Sequence, residues 1–159
     1  MAAIEMVRTF IEYHIAMTRR VWVSIDQISE QQFLADDAYS RGSIRNLMVH
    51  LTHTELRWLT GLKNLPDLED MKKYEEYPDR TSVREYWESV AAELTRYVNN
   101  LDDSRLSENP ADIPGPRWEV LLHLVNHGTD HRSTVLQRLH EFGAPTFDQD
   151  FIMWVAERA

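Results

Sequence analysis

Apolar residues return every three or four positions near the start of the chain, at Ile4, Val7, Phe10, Ile11, Ile15, Val21, Trp22 and Ile25. That period lines one face of a helix, so a long amphipathic helix is predicted over residues 3–28. The stretch SEQQFLADDAYSRG interrupts it. The pattern resumes at Ile44, Leu47, Leu51, Trp58, Leu59 and Leu62, with Ser43 placed to cap a second helix from about residue 44 to 63. A long polar connection, GLKNLPDLEDMKKYEEYPDR, follows. Such a crossover suits neighbouring helices that do not simply hairpin back. Ser82-Val83-Arg84-Glu85 reads as a capping box opening a third helix that runs to about Leu101. ENPADIPGPRW, with three prolines and a glycine, must be loop. A fourth helix is predicted from Trp118 to Phe142, closed by Gly143 with Pro145 beyond, and DQDFIMWVAER forms a short terminal helix.

No strand-like alternation persists. The predicted fold is all-α: a four-helix bundle with a long crossover connection and a short C-terminal helix. The 159 residues, 43% of them hydrophobic, fit one domain over 1–159 with one core. A net charge of −9 disfavours non-specific binding to nucleic acid or to an anionic membrane. The absence of cysteine excludes disulfides, cysteine-ligated zinc and a cysteine nucleophile within the chain. No apolar run reaches 18 residues, and no basic segment precedes an apolar one at the start, so a cytoplasmic location is expected. Trp22, Trp58, Trp87 and Trp118 fall at or near core positions and read as packing; Trp118 and Trp154 are also placed to line a pocket mouth or a dimer seam.

The fourth helix carries His123, His127 and His131 at steps of four. A turn of about 100° per residue separates them. His131 lies roughly 40° from the core direction, His127 roughly 80° and His123 roughly 120°. On the second helix, His50 lies roughly 100° from the core direction and His53 roughly 160°. His127 and His131 therefore border the core and His123 is the outlier, while His50 can reach a groove between helices and His53 should face solvent. His14 is a further candidate. A pair spaced H-x-x-x-H plus one histidine from another helix offers three nitrogen donors, the number that zinc sites with an open position commonly use. Two half-buried histidines bonded to backbone or carboxylate would produce the same spacing, so spacing alone does not decide.

The surrounding residues carry a resemblance. Asn126, His127, Gly128, Thr129, His131 and Arg132, followed by Gly143, Pro145, Asp150, Phe151 and Trp154, resemble the last-helix signature of the DinB/YfiT-like family. Ser43, Ile44, Arg45, His50, Glu55 and Trp58 resemble its second helix. The chain departs from the family at Thr134, where Gln is frequent, and Asp130 occupies a variable position. The resemblance implies a four-helix bundle, often a homodimer. It also implies a divalent metal ion, zinc or nickel, held by His50, His127 and His131.

Some relatives are thiol-dependent transferases or isomerases. With no cysteine in the chain, a thiol nucleophile would come from a low-molecular-weight cosubstrate. The expected function is thus a metal-dependent thiol S-transferase acting on a small-molecule substrate. Arg132 would pair with a carboxylate of the thiol, against a reading of Arg132 as a surface ion pair. Asn126 or Asp130 would support a ligand imidazole. Two alternatives stand beside it. One is a metal-dependent hydrolase with Glu55 or Asp130 as general base. The other is a non-catalytic, stress-associated bundle in which His123, His14 or a carboxylate closes the metal shell.

Overall fold

A computed structural model of the chain describes residues 2–158. It is all-helical among those residues: α1 (Ala3–Ile25), α2 (Glu30–Leu34), α3 (Ile44–Leu62), a 3₁₀ turn (Tyr74–Glu76), α4 (Arg80–Asn99), α5 (Asp103–Leu106), α6 (Arg117–Glu141) and α7 (Phe151–Arg158). The four long helices form a ring in the order α1, α6, α3, α4 and back to α1. Side-chain pairings fix their directions. Arg8 reaches the carbonyls of Val98 and Leu101 while Arg84 reaches Asp26, so α1 and α4 are antiparallel. His50 faces His131 and Trp58 faces His123, so α3 and α6 are antiparallel too. His53 lies beside Tyr86, and Tyr97 Oη donates to Leu62 O, so α3 and α4 run the same way.

Parallel neighbours explain the long connection. After α3 the chain must travel back along a helix of 19 residues, about 28 Å, before α4 can start. Residues 63–79 make that journey. The core lies between the four helices, with Val21, Ile25, Met48, Leu59, Leu94, Leu121 and Leu139 fully enclosed.

The helix ends follow local chemistry. Ser43 Oγ accepts from Asn46 N at 3.1 Å, as its sequence position predicts. The end of α6 is a Schellman turn: Gly143 N donates to His140 O and Ala144 N to Leu139 O, both at 2.9 Å, with Gly143 at φ +78°. The predicted capping box of the third helix is displaced. Asp79, not Ser82, is the N-cap; its carboxylate accepts from Ser82 N at 2.8 Å, and Ser82 occupies the third helical position. The first helix ends at Ile25 rather than residue 28, because Ser29 and Gln32 form a capping box of their own and open α2 within the stretch that interrupts the apolar pattern. α5, capped by Asp102, also went unpredicted.

The tryptophans divide. Trp22 and Trp87 are buried, with ring centroids 6.4 Å apart. Trp154 is buried against Tyr13 and Phe151, so it lines no pocket mouth. Trp118, expected near the core, is 41% exposed because it follows the cap of α6 and points to a shallow groove beside Met6 and Phe10. No helix among the described residues is long and apolar enough to cross a membrane.

Candidate metal centre

α3 and α6 pass each other with His50 on one and His127 and His131 on the other. The ring centroids are 4.7 Å apart for His50 and His131, 5.3 Å for His50 and His127, and 4.3 Å for His127 and His131. One nitrogen from each ring lies within 4.8 Å of the other two, and all three residues are half-buried. This cluster is able to hold a metal ion. Its position follows from helical period: residues four apart share a face of α6, and the antiparallel α3 brings His50 opposite them.

The electrostatics keep the cluster neutral. Burial lowers His50 to about 4, with further lowering from Arg41, His131 and His53. Burial, then His131 and His50, lowers His127 to about 3. His131 is lowered by burial, against the opposing pull of Asp130. At neutral pH each ring therefore has a free lone pair, the form that ligates a metal. His127 Nδ1 is buried with no hydrogen-bond partner among the described residues, a deficit that a metal ion bound at that nitrogen would fill.

The other predicted positions separate. His123 is exposed, 5.7 Å from His127 and 5.5 Å from Trp58 by ring centroids, and lies outside the cluster. His53 does not face solvent. The crossover folds back over it, so that its ring lies against Tyr74, Tyr77 and Tyr86. A helical wheel sees only the helix and not the segment that returns to cover it.

The model of the DinB family matches residues 4–158. The chain belongs to the DinB family. Protein DinB of Bacillus subtilis (strain 168) is 20% identical over 155 residues, covering 91% of this chain and 90% of that protein. The crystal structure of a DinB-like protein from Bacillus cereus ATCC 10987 superposes with a TM-score of 0.61 at 17% identity. It covers 87% of this chain and 94% of the other, which establishes a shared fold.

Within the DinB fold, the remaining motif residues take roles that the sequence reading did not give them. Arg132 is fully buried and meets neither a surface carboxylate nor the groove. Its Nε donates to Gln149 Oε1 at 2.6 Å, Nη1 to His14 Nδ1 at 2.8 Å and to Thr18 Oγ1 at 3.2 Å, and Nη2 to Thr129 Oγ1 at 3.1 Å. Glu55 is 1% exposed and its Oε1 lies 2.8 Å from His14 Nε2. A guanidinium only donates, so His14 Nδ1 accepts; the ring proton sits on Nε2 and is donated to Glu55. His14, 1% exposed, thereby bridges a buried arginine to a buried glutamate. Neither Arg132 nor Glu55 is free to meet a substrate.

Gly128 makes that bridge sterically feasible. A Cβ there would stand 2.2 Å from His14 Cε1 and 2.4 Å from His14 Nδ1. Asn-His-Gly-Thr-x-His-Arg thus serves two faces of α6: His127 and His131 turn to α3, while Gly128, Thr129 and Arg132 lock α6 to α1. Asn126 and Asp130 are exposed, and Asp130 acts on His131 through its charge. Arg41 is the residue that sequence reading missed. It is exposed on the loop before Ser43, and its charge bears on both His50 and His131. No helical periodicity marks a loop residue, and only its place two positions before the cap of the histidine-bearing helix pointed to it.

Proposed function

We propose that the protein is a metal-dependent transferase that uses a low-molecular-weight thiol, and that His50, His127 and His131 hold its divalent ion, zinc or nickel. The observation that carries this reading is the neutral three-imidazole cluster, with donors from two helices and no carboxylate grouped with it among the described residues. A divalent ion on three neutral nitrogens keeps its full charge and, with a position open, supplies Lewis acidity that lowers the pKa of a thiol or water.

The chain's own groups divide the remaining work. The half-buried walls of α3 and α6 limit bulk water around the imidazoles. Arg41, rather than Arg132, receives a carboxylate of the thiol cosubstrate. Asp130, exposed beside His131, accepts the thiol proton. The thiol sulfur forms a bond to an electrophilic carbon, and the leaving group departs with the bonding pair. Hydrolysis fits less well, because Glu55, one of the two carboxylates it would draw on as base, is bound to His14 in the interior.

The test incubates zinc- or nickel-loaded protein with common low-molecular-weight thiols and an aryl halide or epoxide, and follows the thioether product. Conjugation that disappears in His50→Ala, and whose KM for the thiol rises in Arg41→Ala without loss of metal, is expected. No conjugation with any thiol, or conjugation undiminished in His50→Ala, would overturn the proposal.

A further inference from the structure

A cavity of about 480 Å³ lies beside α3, lined by His53 and Leu56 and by none of the three clustered histidines. α3, α4 and the crossover line this open cleft, and its volume falls in the range of small-molecule sites. Nothing in the proposed transfer reaction uses it. Its inner wall is aromatic: Tyr77 and Tyr86 stack at 5.0 Å, and His53 packs edge-on against both, at 6.0 and 5.5 Å. Leu56, Leu68 and Met71 add apolar surface. The rim is acidic, with Asp70, Glu76 and Glu85 exposed around it against a single cation, Lys72.

Two observations indicate what such a cavity takes. First, one face of Tyr77 is covered by Tyr86, and the Lys72 ammonium stands over the ring at 5.8 Å. The ring is already used as a cation seat. That cation is at the outer limit of a productive distance and is exposed, so a better-fitting one can displace it. Second, His53 Nε2 is buried with no hydrogen-bond partner among the described residues, a deficit that a polar group of a ligand can fill. The His53 ring is held neutral by burial and does not repel a cation. An anion, in contrast, would face three carboxylates.

We infer that this aromatic cavity between α3, α4 and the crossover is a second binding site, separate from the three-histidine cluster, for a small organic ammonium. Its positive end seats on Tyr77 in place of Lys72, and its apolar body lies against Leu56, Leu68 and Met71. The rim carboxylates supply long-range attraction; the ring face supplies the contact.

The test uses the full chain, treated with chelator so that metal binding cannot contribute. Choline is titrated in parallel with 3,3-dimethylbutanol, its uncharged isostere, and both are followed by amide and tyrosine-ring NMR shifts. Saturable shifts confined to residues near Tyr77 and Tyr86 are expected with choline and not with the alcohol. Lys72→Ala and Glu85→Gln alter exposed residues and leave the fold intact. Removing Lys72 frees the seat and should tighten choline binding by roughly two- to five-fold, the worth of one exposed cation–π contact. Glu85→Gln should weaken it. Equal binding of choline and its isostere, weaker choline binding in Lys72→Ala, or no saturable shift with choline would each overturn the assignment.

Discussion

Gly128→Ala is the substitution that most sharply separates local propensity from packing. In a helix interior, alanine is favoured over glycine by about 1 kcal/mol. At Gly128 the new Cβ would stand 2.2 Å from His14 Cε1 and 2.8 Å from Arg132 Nη1. His14 cannot step aside cheaply, since its two ring nitrogens are fixed by Glu55 and Arg132 at 2.8 Å each. Moving the ring by an ångström or more breaks at least one hydrogen bond to a charged group, worth about 1.5–3 kcal/mol. Repacking strain adds about 1–3 kcal/mol. Set against the propensity gain, the net loss is about 1.5–5 kcal/mol. For a chain of this size that lowers Tm by roughly 3–20 °C. Gly61→Ala is the matched control. It also sits in a helix, but its Cβ would meet only the outer atoms of the Ile113 side chain, Cδ1 at 2.9 Å and Cγ1 at 3.1 Å, which a change of rotamer can move aside. Urea titration and calorimetry of the two variants should show Gly128→Ala clearly destabilised and Gly61→Ala close to the parent. A Gly128→Ala protein as stable as the parent would refute the claim that His14 wedges α1 against α6 at this glycine.

Two further outcomes follow from the interior polar groups. Glu55→Ala leaves the His14 Nε2–H without its acceptor and the buried Arg132 without the negative charge of Glu55, and should cost about 3–5 kcal/mol, whereas Glu55→Gln, which keeps an acceptor for His14, should cost less; denaturant midpoints compare them. The metal-free protein should lose stability as pH falls. His50 and His127 titrate at about 4 and about 3 when folded, below their ordinary value of 6.5. Between those values the unfolded chain binds protons that the folded chain does not, so stability is intact above pH 6.5 and drains away toward about pH 4. Denaturant midpoints from about pH 7.5 to about pH 5 should show a flatter slope in the His50→Ala/His127→Ala variant, and equal slopes would contradict the assignment.

Much of the architecture was legible because it rests on periodicity and caps. The four long helices follow from three-and-four spacing, and Ser43 and Gly143 marked ends that the hydrogen bonds bear out. Helical direction placed His127 and His131 at the core border and let His50 reach a groove; that the three form one set followed from the family resemblance, and the antiparallel α3 and α6 bring them together. What failed depends on tertiary cover. His53 was assigned to solvent because a wheel holds no information about a crossover that folds back. Arg132 reads from sequence as a partner for the thiol carboxylate or a surface ion pair, and Glu55 as a general base, because charged residues are ordinarily exposed. Their burial needs a third partner, His14, from a distant helix, and no spacing within α1, α3 or α6 marks that these three meet. The capping errors are of another kind. Ser29 and Gln32 carried a capping-box signature in plain view, and Asp79 competed with Ser82 for the same role.

The central claim is that His50, His127 and His131 hold one metal ion. Elemental analysis of tag-free protein, alongside His50→Ala, His127→Ala and His123→Ala, tests it most directly. The account predicts about one divalent ion per chain in the parent and in His123→Ala, and loss of the ion in the other two. Metal retained in His50→Ala or His127→Ala, or a parent protein that takes up no metal when zinc and nickel are supplied, would contradict it.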